Sequence, residues 1–341
     1  MSVDAAPAVR TRPRYAAALA ATAALLGLLV LLSIGVGAKF YPPAQVWDVL
    51  WHHDGSYAAD VIRELRLPRT LLGLMVGVAL GLAGSLMQAL TGNPLADPGI
   101  LGVSAGASAA VVLAVGVLGV ASYTGYIWFA LLGAFAAATL VYLIGQTGAG
   151  RASPVRLVLA GAAIGACLTG FIAGVSGLDA ATFDHLRFWT VGSLAGHAPQ
   201  VLTGMLPFAA VGTAIALALG RALNAVALGD DTARSLGVRL IRTRALGILA
   251  VTLLCGSATA AAGPIGFVGL VVPLAVRSFT GPDQRWIMPF AMLVSPCLLL
   301  SADILGRVVL PDGELEVGAV TALLGAPVFI AMVRRGKLSA R

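Results

Sequence analysis

Apolar runs of about twenty residues, parted by short clusters of polar residues, Gly and Pro, repeat along the whole chain. A helix needs about 20 apolar residues to cross about 30 Å of hydrocarbon. On that measure spans fall near 15–37, 69–90, 99–118, 126–146 and 156–177. Five more fall near 200–221, 244–263, 266–280, 287–306 and 317–333. Pro264 and Pro273 interrupt the eighth, which is also short. The fold expected is an all-α polytopic membrane protein of about ten transmembrane helices.

Composition agrees. The 341 residues are 59% hydrophobic and 11% charged, with mean hydropathy +0.94. A soluble domain carries about 25% charged residues. The first apolar run follows Arg10, Arg12 and Arg14 like a secretory signal, yet it is too long for a signal core and is expected to remain as a helix.

Basic residues accumulate on the cytoplasmic side of short loops. With the N-terminus inside, sixteen of the 22 Lys and Arg residues face the cytoplasm and six face out. The net charge of +7 is therefore topology, and no continuous patch suggests nucleic acid. Both termini are expected in the cytoplasm. The expected division is a cytoplasmic tail 1–14, a ten-helix domain 15–333 with a cytoplasmic loop 222–243, and a tail 334–341.

Small residues let helices approach closely in lipid. Gly73, Gly77 and Gly81 repeat at that spacing, as do Gly102–Gly106 and Gly161–Gly165, and packing within the chain is the favoured use. Asp97 before Pro98 is expected to cap the third span. Asp303 and Arg307, four apart near the outer end of span nine, can pair with each other. Cys167, Cys255 and Cys297 lie within spans without C-x-x-C spacing and read as small apolar fillers.

Catalytic and metal-binding residues are not found. There is no GxxxxGK[ST] phosphate loop and no HExxH. Acidic residues are almost absent from mid-span positions, which counts against a proton-coupled carrier. A secondary transporter would call for mid-membrane ion ligands or inverted repeats. An intramembrane enzyme would call for paired acids or a Ser/His arrangement at one depth.

Two regions carry interaction chemistry. The long inner connection from Arg221 to Arg244 holds Asp230-Asp231-Thr232-Ala233-Arg234-Ser235-Leu236-Gly237. With acids at its start and a closing glycine, it reads as a short helix fit for a groove on a cytosolic protein, or as a solvated loop that enforces topology. On the outer side Arg66, Arg69 and Arg307 stand at span ends amid loops that lean acidic. They are placed either to take a partner's carboxylates in bidentate contacts or to snorkel into the interface.

The motifs LRLPR (65–69), QALTGNPLADPGILGVSAGAS (88–108), LRFWTVGSLAG (186–196), LGDDTARSLGV (228–238), GPIGFVGLVVP (263–273), ADILGR (302–307) and VGAVTALLGAP (317–327) together resemble the iron-siderophore and cobalamin permease family of ABC importers, the FecCD type. Within it the chain is most similar to permease subunits for ferric enterobactin-type siderophores. The resemblance implies a second permease subunit, a paralogue or a second copy, and two cytosolic ATPase subunits that carry ATP and Mg. It also implies an extracytoplasmic siderophore-binding protein, with no cofactor on this chain. Arg66, Arg69 and Arg307 match the family's docking arginines. Leu228, Gly229, Asp230, Asp231, Ala233, Arg234, Leu236 and Gly237 match its ATPase-coupling element. Phe188 and Trp189 are expected near the outer end of the pathway. The chain departs from many relatives at Leu274, where they have His, and at Glu316, where Pro is common.

Overall fold

The computed structural model describes residues 12–37, 39–52, 55–99, 102–120, 122–146, 154–177, 189–195, 199–310 and 313–334. Helix α1 (Arg12–Gly35) is followed by a short α2 (Pro43–Trp51). Next, α3 (Tyr57–Asp60) runs through a π-helical turn (Val61–Arg66) into α4 (Leu67–Thr91). Then come α5 (Val103–Gly116), α6 (Tyr123–Gln146), α7 (Pro154–Ser176) and α8 (Pro199–Val226). The chain continues with α9 (Asp230–Ser235), α10 (Leu240–Ala262), α11 (Val268–Thr280), α12 (Gln284–Val308) and α13 (Val317–Arg334).

Seven of these helices are long and apolar enough to cross a membrane, and three shorter apolar helices bring the set to the ten expected spans. The short ones are α5, α11 and α13. Two are cut back by backbone that cannot join a helix: Gly102 and Phe267 are left-handed, at φ 76° and 67°. Span two differs in the other direction. It begins at Tyr57, so Arg66 and Arg69 ride within a continuous helix instead of standing at its start.

The helix α4 is the central post. It packs against α12, α10, α8 and α11, and 72% of its apolar window is buried, against 11% for α1 and 17% for α7 at the rim. The expected glycine ladder is its seam with α12. A Cβ on Gly77 would lie 2.6 Å from Pro296 Cα, and one on Gly81 would collide with Ser295. About one turn further along, Gly84 meets the carbonyl of Gly269, and Gly106 and Gly133 join α5 to α6 in the same way. Gly165 differs, for a Cβ placed on it would meet no neighbouring helix within 4 Å among the described residues.

Asp97 does not cap α5, which starts five residues beyond the expected position, after Gly102. Its Oδ1 accepts from Gly99 N at 2.7 Å and holds the Pro98-Gly99 turn, while Oδ2 lies against Gly269 in the first turn of α11. A carboxylate is favoured at a helix N-terminus by the helix dipole, whichever helix supplies it. The three cysteines are free.

Candidate functional site

At the end of the molecule where α1 stops, four arginines gather, and three of them meet two helix ends. A helix leaves its last four carbonyls without intrahelical partners, and buried ones must find donors elsewhere. The π-helical turn carries two of those donors. Arg63 gives Nε to Val49 O and Nη2 to Leu50 O, both at 2.8 Å, which closes α2. Arg66 gives Nη1 to Ile34 O (2.9 Å) and Gly35 O (2.8 Å), and Nη2 to Lys39 O (2.6 Å), which closes α1. The Arg66 guanidinium also stacks 4.9 Å from the Tyr41 ring centroid.

Arg307 approaches the same helix end from α12. Nη1 donates to Ser33 O at 2.9 Å and Val36 O at 3.0 Å, and Nη2 donates to Ser33 Oγ at 3.0 Å. The predicted pairing with Asp303 is present, Nη2 to Oδ2 at 3.0 Å, as an ion pair outside hydrogen-bond alignment. Asp303 is fully buried and also holds Arg69, whose Nε and Nη2 lie 2.9 and 2.8 Å from its Oδ1. The remaining edge of Arg69 donates through Nη1 to Glu314 Oε2 at 2.6 Å.

Sequence reasoning put Arg66, Arg69 and Arg307 at the mouth, and the structure brings them together there. They do not snorkel. Arg66 and Arg307 are 8% and 5% exposed and turn inward, because the carbonyl end of α1 and the carboxylate of Asp303 draw them in. The set lines a cavity of about 670 Å³ that also includes Lys39, Glu64 and Glu314. Asp303 is anticipated only as the partner of Arg307, and Arg63 and Ser33 are members that the sequence does not announce. The i, i+3, i+6 spacing of Arg63, Arg66 and Arg69 was the available signal.

The element around 228–238 is built differently. Helix α9 forms where expected, with Asp230 and Asp231 in its first turn, Ala233 buried and Gly237 left-handed at φ 81°. Asp231 meets Arg234 at 2.9 Å, and Asp230 meets Arg244 at 2.9 and 3.1 Å. Leu228, Leu236 and Ile241 stand 65%, 62% and 88% exposed around it. Ile241 escaped the sequence reading, although one isoleucine among Arg239, Arg242 and Arg244 is conspicuous. Phe188 lies outside the described residues. Trp189 packs against the core and its carbonyl sits against Gly263. A second cavity of about 340 Å³ lies beside it, lined by Ser104, Ser108, Thr169, Thr190 and Ile265. Among the described residues no cluster of His, Cys, Asp and Glu could hold a metal ion.

Ten apolar helices with α4 as their central post, a charged mouth at one end and a protruding loop at the other make up a multi-pass membrane protein. Residues 25–335 match the model of the FecCD transport family, and the chain belongs to that family. It is 48% identical to the ferric enterobactin transport system permease protein FepD of Escherichia coli K12, covering 91% of this chain and 93% of that one. It is 38% identical to the vitamin B12 import system permease protein BtuC of Serratia proteamaculans, covering 91% and 93%. A solved structure described as an inward-facing conformation of a metal-chelate type ABC transporter superposes with TM-score 0.81 at 28% identity, covering 93% of this chain and 99% of that one. The chain is a permease subunit of an ABC importer of the metal-chelate type, in the bacterial cytoplasmic membrane.

Proposed function

We propose that this permease carries a ferric siderophore of the catecholate, enterobactin-like type inward by ATP-driven alternating access. The observation that carries the substrate is the 48% identity to the enterobactin permease, ten points above that to the B12 permease over the same share of the chain. Cobalamin and haem are the alternative cargoes. The termini lie in the cytoplasm, a reading supported by the concentration of Arg and Lys in the loops on that side.

In this reading two cytosolic ATPase subunits bind ATP and Mg, and each grips one permease through the element 228–238. The exposed Leu228, Leu236 and Ile241 support such a contact, since apolar side chains in water gain from burial in a groove. Closure of the ATPases moves α9 as a lever, and this chain rocks against a second permease, a paralogue or a second copy. An extracytoplasmic siderophore-binding protein delivers the chelate at the arginine-lined mouth. Phe188 and Trp189 border the pathway. The chain does no covalent chemistry.

The test is uptake of labelled ferric enterobactin in cells lacking this chain, with and without its re-expression, beside cobalamin, haem and a hydroxamate siderophore. Loss of catecholate uptake that re-expression restores is the expected result. A defect confined to another chelate would keep the importer and replace the substrate.

A further inference from the structure

Of the three arginines proposed to receive a partner's carboxylates, only one has a partner it can exchange. Arg66 and Arg307 are committed to the carbonyls of Ser33, Ile34, Gly35, Val36 and Lys39. Withdrawing either would strand buried backbone acceptors. Asp303 cannot leave, being fully buried between two cations. Glu314 is another matter. Its carboxylate binds the outward edge of Arg69 at 2.6 Å, yet its side chain is 44% exposed and lines the outer cavity.

The geometry around Glu314 suits release. The loop between α12 and α13 is pinned beside it, with Leu315 N donating to Gly306 O at 2.9 Å, and Gly313 supplies the turn at φ 121°. The side chain can therefore swing into water while the backbone stays fixed, and a solvent-exposed carboxylate costs little to rehydrate. An incoming carboxylate would find on Arg69 a guanidinium already oriented by Asp303. Charge-assisted contacts to a preset fork are the strong kind.

We propose that Glu314 is an internal stand-in for a carboxylate of the extracytoplasmic binding protein. It occupies Arg69 Nη1 in the undocked permease and is displaced when the acidic partner docks. Arg69 is then the docking cation, while Arg66 and Arg307 are positioning residues that hold the mouth in shape. This rests on the docking role proposed above.

The test measures binding of ferric-enterobactin-loaded binding protein, from the same cells, to the assembled transporter in nanodiscs. Glu314→Gln and Glu314→Lys both free Arg69, and both lie on an exposed loop. The dissociation constant should fall about fivefold at low salt for E314Q and at least as far for E314K, and both gains should fade near 0.5 M salt. Equal or weaker binding by both variants overturns the stand-in. Arg69→Gln, checked as an assembled complex by size-exclusion chromatography, separates the two ideas. If R69Q weakens binding while the Glu314 variants fail to tighten it, docking stands and the stand-in falls. If R69Q leaves binding unchanged, the docking role falls and the stand-in with it.

Discussion

The arginine-lined mouth and the α9 loop use the same residue types to opposite ends. At the mouth, Arg66 and Arg307 are buried, and nearly every donor in the cluster is met by a carbonyl or carboxylate of this chain. At the loop, the Asp231–Arg234 pair is largely exposed, at 82% and 61%, and apolar Leu228, Leu236 and Ile241 stand exposed beside it. One end satisfies itself, and the other leaves a surface unsatisfied. A buried charge has to be matched by its own fold, because desolvating it costs several kcal/mol. An exposed ion pair carries no such demand, so that region is free to be shaped for a partner.

The contrast breaks most sharply at Asp303. Asp303→Ala should cost about 3 kcal/mol or more, because two arginines would keep their burial and lose their shared carboxylate. The expected result is a poor yield and a melting temperature several degrees lower in detergent. An unchanged melting curve would mean that the α1 carbonyls alone suffice.

The second effect concerns assembly and not folding. The double variant Leu236→Asp, Ile241→Asp should lower co-purification of the ATPase by tenfold or more, since apolar anchors carry most of an interface's energy. The permease's own melting should stay put, as neither side chain is in the core. Full ATPase retention would show that the contact lies elsewhere. The smallest change belongs to Arg234→Ala. Loss of an exposed i, i+3 pair should shift stability by no more than about 0.5 kcal/mol. A larger drop would make the α9 loop resemble the arginine-lined mouth and erase the difference between them.

Legibility followed the range of the interaction. The apolar runs gave ten helices, and the Gly73, Gly77 and Gly81 spacing gave a close-packing face on α4 though not its partner α12, because both depend on periodicity within one segment. Asp303 with Arg307, and α9 with its acidic start and Gly237, were likewise readable as local pairs four and seven residues apart. Helix α2 was not read, since nine residues between two spans carry too weak a pattern. Asp97 was assigned to the wrong helix for a related reason. The turn it closes is local, but the α11 terminus it faces lies 172 residues away.

By itself, then, the sequence determined that the chain crosses a membrane about ten times, which segments do so, and three of the four arginines that gather at the mouth. Only the tertiary structure decided what those arginines do there. Arg66 and Ile34 meet across 32 residues, and Arg69 and Glu314 across 245. No local pattern encodes such pairs. They exist because an unsatisfied carbonyl end of α1 and a buried Asp303 are brought to one place by packing, and the nearest guanidinium groups must answer them.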